Sequence, residues 1–233
     1  QQAELFKERS KHTLEVARQR TTTEMHQHLF HQAKSPLLIG PMFQCVWGGI
    51  IAALSMSFEM SDDEDIDKLC LLGFQYSTHI ASHCYIEDAL ETLVDSFAKF
   101  TRLRTYSTQL KPKNFLCTQA LLKCALDDRE YLKGAWSIIL GECSALDKMS
   151  TNKMFKTDLM MINPLFEKSG SLDRESIKDF VNALCDVTSS EMSEKPPRYT
   201  MLHNLEMVAT LNMEVRTMVV WREIWQIMAN LFV

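Results

Sequence analysis

Glycine and proline are scarce in this chain, with 7 Gly and 6 Pro among 233 residues. These two residues supply most tight turns, and a β-sandwich or β-barrel needs a turn roughly every ten residues. The scarcity therefore argues against an all-β fold and favours long helices. Hydrophobic residues make up 46% of the chain, which is enough to build a substantial core and argues against a mainly disordered chain.

The chain also lacks an excess of positive charge. It has 25 Lys and Arg against 30 Asp and Glu, a formal net charge of -5, which argues against a broad nucleic-acid-binding surface. Its seven cysteines are odd in number and form no C-x-x-C pair. We interpret them as reduced core residues of an intracellular protein.

A signal peptide and a long apolar run are missing from the pattern as well. The first 20 residues are charged and do not begin with Met, and the longest apolar run, residues 46–54, is much shorter than a bilayer-spanning helix. We therefore expect a soluble fragment excised from a longer protein.

Helical periodicity recurs along the chain. Residues 42–58 read MFQCVWGGIIAALSMSF and predict a buried helix in which Gly48 and Gly49 admit a close neighbour. Ser61 and Glu64 form the S-x-x-E pattern of a capping box, which predicts the start of the next helix.

The following helices are expected in antiparallel pairs. A helix ending near Ser82 and one at residues 87–104 form a first hairpin, and residues 113–125 and 129–146 form a second about 47 residues later. Residues 147–170 are interpreted as a linker with one short helix. Further helices are expected at residues 174–188, at 199–212, and from there through Trp221 and Trp225 to the end.

Repetition of helix pairs at this spacing predicts an all-α fold of antiparallel helical hairpins, stacked as an armadillo or HEAT-like solenoid. A compact irregular bundle gives the same pattern. We favour the solenoid because no single helix has the character of the centre of a closed core. The chain divides into a polar N-terminal helix and connector at residues 1–40, a helical-repeat domain at 41–170 and a further helical repeat at 171–233.

The nearest approach to a metal motif is the pair His79 and His83, whose spacing puts both imidazoles on one helix face. The adjoining glutamate that zinc proteases use as a base is absent. Cys84 is the nearest third ligand, but neighbouring residues on a helix point about 100° apart. We interpret the pair as part of a helix C-terminus and predict no metal.

Two other clusters have simpler explanations. His26, His28 and His31 have no fixed fourth ligand nearby, and we interpret them as solvated. The acidic residues 61–67 lack the glycine and the final glutamate of an EF-hand loop, so helix capping explains them better than calcium binding.

No catalytic constellation is visible. The chain has no G-x-S-x-G elbow, no P-loop and no G-x-G-x-x-G motif, so we name no catalytic residue and no cofactor. A convergent cleft of His, Cys and carboxylate groups is what an unrecognised hydrolase would require. Met154, Met160 and Met161 fit an adaptable partner surface or, as we prefer, an irregular core.

Several segments resemble one family, and they occur in that family's order over residues 41–233. The segments are PMFQCVW at 41–47, AALS at 52–55, LCLLGF at 69–74, HIA at 79–81, FAKFTRL at 97–103, YLKGAWSIIL at 131–140, LDRESIKDFVNALC at 172–185 and NM, R and WREIW within 212–225. They resemble the region just downstream of the catalytic domain in large brefeldin-A-inhibited guanine-nucleotide exchange factors for Arf GTPases, with residues 41–170 as the first downstream homology domain and a second one starting near the end.

The chain also departs from the family pattern. Leu72 stands where the family has Glu, His79 where it has Arg, and the span from Leu146 to Leu172 is shorter than usual. These departures fit a divergent paralogue whose own exchange domain is degenerate, or a chain from which loops have been removed.

The resemblance implies a non-catalytic, regulatory α-helical module, because no residue matches the glutamate finger of the exchange domain. It implies a role in vesicle transport and autoinhibition, at a cytoplasmic location peripheral to trans-Golgi or endosomal membranes. The implied partners are an Arf-family or other small GTPase, the chain's own catalytic domain and the membrane, but no nucleic acid.

Two alternatives remain at this point. A HEAT-type scaffold for other proteins, belonging to a catalytically inactive paralogue, fits the same repeat spacing. For membrane contact, the basic residues of segment 3–20 are the best local candidate, although we prefer a solvated helix leading to the catalytic domain.

Overall fold

The chain folds into α-helices joined by short connections, in a computed structural model that describes residues 35–105, 110–149 and 156–232. Those residues contain nine α-helices and no β-strand. The helices are α1 (Ile39–Met60), α2 (Glu64–His83), α3 (Glu87–Thr101), α4 (Pro112–Asp127), α5 (Ala135–Lys148), α6 (Lys156–Glu167), α7 (Arg174–Met192), α8 (Thr200–Val215) and α9 (Met218–Ala229). The all-α prediction is confirmed.

The helices form two layers. The odd-numbered helices α1, α3, α5, α7 and α9 pack in succession in one layer, and the even-numbered helices α2, α4, α6 and α8 pack in succession in the other. Within each layer, a helix begins about 40 to 48 residues after the start of the preceding helix of the same layer. This arrangement is the stacked helical solenoid expected from the repeat spacing.

One continuous apolar core runs between the layers. Aromatic rings join helices that are neighbours in the stack. The ring centroids of Phe74 on α2 and Phe97 on α3 are 5.0 Å apart, and those of Trp136 on α5 and Phe180 on α7 are 4.8 Å apart. Such pairs add to the stability from burial because their edges and faces carry opposite partial charge.

Most of the cysteines belong to this core, as expected. All seven are free, and five of them are buried, namely Cys70, Cys117, Cys124, Cys143 and Cys185. Burial raises the pKa of the Cys143 thiol to about 12, so this thiol stays protonated at neutral pH and behaves as a small apolar side chain.

Two predicted helix starts are wrong. The N-cap of α2 is Asp63, whose Oδ1 accepts a hydrogen bond from the backbone N of Asp65 at 3.0 Å, and not Ser61. Ser61 instead accepts a hydrogen bond from the backbone N of Asp63 through its Oγ at 3.0 Å. The helix therefore begins after Asp63, and the expected capping box of Ser61 and Glu64 does not form.

The helix expected at residues 129–146 begins later, at Ala135. Residues Arg129–Tyr131 form a separate 3-10 turn, and Lys133 has a φ of 44°. A left-handed residue cannot continue a right-handed α-helix, so the chain turns at Lys133 before α5 starts. The short helix expected within residues 147–170 is confirmed as α6, with Pro164 inside it.

The end of α3 offers a test of backbone strain. Arg102 caps this helix with φ 56° and ψ 17°, a left-handed conformation that costs an L-residue about 1–2 kcal/mol and that glycine adopts freely. We predict that Arg102→Gly raises the free energy of unfolding by about 0.5–1 kcal/mol, measured by urea denaturation. Arg102→Ala keeps the strained conformation and is the matched control. An equal gain with alanine would contradict the strain argument.

Candidate interaction surface

Helix α1 carries almost no charge. Its sequence from Ile39 to Phe58 has no Asp, Glu, Lys or Arg, and Glu59 is its first ionisable acidic residue. Together with the preceding 3-10 turn it forms a segment, Pro36–Met60, of 25 residues with a hydropathy of 1.8, which is long and apolar enough by length and composition to cross a membrane. The expectation drawn from residues 46–54 missed this because small and uncharged residues extend the apolar stretch on both sides.

The expectation that this helix is buried is wrong. Only 11% of its apolar stretch is buried, and its buried residues are Phe43 and Phe58. The physical reason is its position, because α1 is the first helix of the described stack and packs against α2 and α3 on one side.

The inner side of α1 is nevertheless firmly attached. A Cβ built on Gly73 of α2 would lie 2.7 Å from Cδ2 of Leu54, so α1 and α2 approach closely where α2 has no side chain. At the other end, Lys113 of α4 donates hydrogen bonds of 2.7 Å to the carbonyl oxygens of Phe58 and Ser61. These bonds satisfy carbonyl groups that the end of a helix leaves without partners.

The outer side of α1 is exposed and apolar. We call it the α1 face, and it consists of Met42, Val46, Gly49, Ala53, Met56 and Met60. Successive members are three or four residues apart, so they lie on one side of the helix. The exposed fractions of the four larger side chains are 53% for Met42, 50% for Val46, 52% for Met56 and 51% for Met60.

The middle of the α1 face is flat. A Cβ built on Gly48 or Gly49 would meet no atom within 4 Å. The close neighbour that these glycines were expected to admit is therefore not found among the described residues. Glycine and alanine between flexible methionines would let another helix or loop approach the backbone closely, while the methionines adapt to its shape.

A second apolar stripe lies on the outside of α2. Its exposed members share a helical spacing and are Ile66, Leu69, Leu72 and Tyr76. Leu72, where the resemblance implies a glutamate, is 41% exposed and belongs to this stripe. Contiguous exposed apolar side chains on a folded protein are typical of interaction surfaces.

A cleft of about 420 Å³ lies between α5 and α7 and has Arg104 and Arg198 in its wall. Arg104 pairs with Glu142 at 2.6 Å, and Arg198 pairs with Glu194 at 2.9 Å. Since the charges already have partners within the chain, the cleft fits a structural network between repeats better than a ligand site.

The structure also locates the residues singled out from the sequence. His79 and His83 lie at the exposed end of α2, as predicted, and the side chain that their ring nitrogens approach is that of Asp128. Cys84 lies beside the start of α1, because its Cβ would be 3.5 Å from a Cβ built on Gly40. In the acidic stretch, Asp63 caps α2 and Asp67 is buried.

Other predictions lie outside the described residues. These are the histidines at 26, 28 and 31, the basic segment 3–20, and Met154; the side chains of Met160 and Met161 are also outside the description. Sequence reasoning missed the α1 face, because 20 residues without a charge around a glycine pair are equally typical of a buried helix. It also missed Asp128, which no local pattern connects to the histidines.

Comparison with known proteins supports the resemblance seen in the sequence. No family model matches the chain. Brefeldin A-inhibited guanine nucleotide-exchange protein 4 of Arabidopsis thaliana is 24% identical in an alignment 286 positions long, covering 90% of this chain and 17% of the relative. The ADP-ribosylation factor guanine nucleotide-exchange factor SEC7 of Saccharomyces cerevisiae is 24% identical in an alignment 259 positions long, covering 82% of this chain and 13% of the relative.

The fold and these matches define a class of protein, an all-α helical-repeat segment. More particularly, the segment is related to the brefeldin-A-inhibited type of Arf guanine-nucleotide exchange factor, and the resemblance is confirmed. The chain spans about a sixth of the length of these relatives.

The buried carboxyl of Glu142 makes the stability of the fold depend on pH in a direction that can be measured. Glu142 is buried beside Thr101, which donates a 2.6 Å hydrogen bond to its Oε2, and Arg104. Burial raises the pKa of the Glu142 carboxyl, an effect that Thr101 and Arg104 only partly oppose. A carboxyl whose pKa is raised on folding stabilises the fold at low pH, and this contribution is lost as the pH rises through the folded-state pKa.

The variant Glu142→Gln keeps an acceptor for Thr101 but has no carboxyl to ionise. We therefore predict that its free energy of unfolding, relative to that of the parent chain, increases by on the order of 1 kcal/mol as the pH rises from about 4 to about 7.5. Urea denaturation of both chains across this range measures the difference. If the difference moves against glutamine with rising pH, the pairing with Arg104 outweighs the cost of burial.

Proposed function

We propose that this chain is a non-catalytic regulatory and interaction module of a large Arf guanine-nucleotide exchange factor, and that the α1 face binds a small GTPase of the Arf family. The observation that carries the proposal is an exposed, uncharged helix face with a flat centre, on a helix whose other side is held by α2, α3 and α4. An anchored helix presents such a face in one fixed orientation, so a partner loses little free energy to ordering on binding.

The identity of the partner is supported by the relatives, which are named for nucleotide exchange on ADP-ribosylation factors. In this proposal the exchange reaction belongs to another part of the protein. The module acts in vesicle transport on the cytoplasmic side of trans-Golgi or endosomal membranes, and it regulates its own catalytic domain by recruiting or releasing it. Residues 41–170 and 171–233 are proposed as the first downstream homology domain and the start of the second, preceded by a connector at 1–40.

A second function is favoured by the opposite end of the stack. Several large apolar side chains there are exposed, namely Val215, Met218, Val219, Trp225 and Phe232. A scaffold that binds proteins other than a GTPase would use both ends of the array. The two functions differ in whether the nucleotide carried by the partner affects binding.

The first test is binding of the chain to an Arf protein loaded with GTP or with GDP. GTP orders the switch segments of small GTPases through contacts of its γ-phosphate, so recognition of the active form predicts a preference for the GTP state. We expect the double substitution Val46→Glu with Met56→Glu to weaken this binding at least about tenfold, because it would desolvate two charges in an apolar interface. Biolayer interferometry measures both effects.

Met213→Glu is the matched control, because Met213 is an equally exposed methionine on α8, away from the α1 face. We expect it to leave binding unchanged. Equal binding of both nucleotide states, or equal loss with Met213→Glu, would contradict the proposal. Repeating the measurement with liposomes containing anionic lipid separates the remaining cases, since binding to liposomes alone would instead indicate a membrane-contacting helix.

A further inference from the structure

Two histidines and an aspartate converge at the end of α2. His79 and His83 lie one turn apart on that helix, and Asp128 follows the last residue of α4. The Nδ1 atoms of the two histidines are 2.6 Å and 3.6 Å from the same oxygen, Oδ1 of Asp128. One ligand atom from each of the three residues lies within 4.8 Å of the others.

Asp128 and His83 are held in place by the fold. The side chain of Asp128 is only 2% exposed, and its backbone is fixed by two hydrogen bonds, from its own N to Cys124 O at 2.9 Å and from Tyr131 N to its O at 2.8 Å. The ring of Tyr131 packs on that of His83 with centroids 4.2 Å apart. The cluster therefore needs little ordering before it can bind a ligand.

The distances fit a small transition-metal ion after a modest movement. Two ligands of a tetrahedral zinc ion, at bonds of about 2.0–2.1 Å, are about 3.3 Å apart. The 3.6 Å from His83 to Asp128 is near this value. His79 has to move outwards by less than about 1 Å from its present hydrogen bond, and its side chain is 56% exposed, so it has room to do so.

Binding gives up existing contacts. The Nδ1 of His83 also lies 3.0 Å from the carbonyl oxygen of His79 and 3.2 Å from Oγ of Ser82, and the Nδ1 of His79 loses its hydrogen bond to Asp128. Metal–nitrogen bonds to the two imidazoles more than replace these contacts, since an ordinary hydrogen bond contributes little net stability in water.

We infer that His79, His83 and Asp128 form a binding site for a divalent transition metal, with zinc as the expected ion. Imidazole nitrogen with carboxylate oxygen suits zinc, whereas calcium and magnesium prefer all-oxygen sites. Three protein ligands leave a fourth position for water or for a group of a partner. The exposed imidazoles provide the path by which the ion enters.

The site has a structural consequence. Its ligands come from the end of α2 and from the connection between α4 and α5, which belong to successive helical hairpins of the stack. A bound ion would join two repeats that otherwise meet here through a hydrogen bond and stacked rings. The inference does not depend on the proposed GTPase binding.

Isothermal titration with Zn²⁺ tests the site, with Co²⁺ absorption as a second readout because tetrahedral coordination gives visible bands. The full chain is used with His26→Gln, His28→Gln and His31→Gln, which removes the cluster at the N-terminal end. We expect one ion per chain, and at least about tenfold weaker binding in His79→Gln and in His83→Gln. Both histidines are exposed, so these variants are expected to keep the fold, which circular dichroism checks.

His203→Gln, at an exposed histidine on α8, and Cys84→Ser are the matched controls, and both are expected to bind as the background chain does. The inference is overturned if Zn²⁺ does not bind to the background chain, if His79→Gln and His83→Gln bind it equally well, or if Cys84→Ser removes the binding. The last result would assign the ion to the cysteine instead of Asp128.

Discussion

Each helix in this fold can bury its apolar stripe only against helices next to it in the stack. In a two-layer array, an internal helix has a neighbour in its own layer on each side and a facing helix in the other layer, so the burial of one repeat depends on the next. Phe97 of α3 and Trp136 of α5 are buried because both of their helices have neighbours on two sides. Among the described residues, α1 is packed on one side only, and its apolar outer side is therefore exposed.

The same constraint explains how the connections are built. Lys113 binds the carbonyl groups at the end of α1 although it lies on α4, so the end of one repeat is capped by a residue of the next. Arg102 and Lys133 take left-handed conformations where the chain must reverse within a few residues. Strain at these turns is tolerated because the packing of the helices on either side fixes the geometry.

Part of the interior follows from helical periodicity. Leu90, Leu93, Val94 and Phe97 recur at the spacing of one helix face, and all four are buried on α3. Helix starts were less predictable, because Ser61 and Asp63 are both good capping residues and the choice between them depends on the fold around them. The exposure of α1 could not be predicted, because an apolar helix at the edge of a stack has the same composition as one in its centre.

The candidate sites show the same limit. The spacing of His79 and His83 places them on one face from sequence alone, but Asp128 lies 49 residues from His79 in the chain. Only the packing of α2 against α4 brings it to the histidines. The sequence therefore places the two histidines together and offers Cys84 as the nearest third group, from which we predicted no metal, whereas the fold brings Asp128 to them.

The charges around the α1 face bear on what it binds. The face itself has no charge, so it supplies affinity but little orientation. At its C-terminal end, however, Glu59 and the exposed acidic residues 62–65 follow directly. Within the described part of the chain, Asp62 pairs with Lys111, which precedes α4, at 3.2 Å. An acidic rim repels anionic lipid headgroups and attracts a partner with basic residues beside an apolar patch. The charge pattern thus favours a protein over a membrane as the ligand of this surface, even though the helix is apolar enough for either.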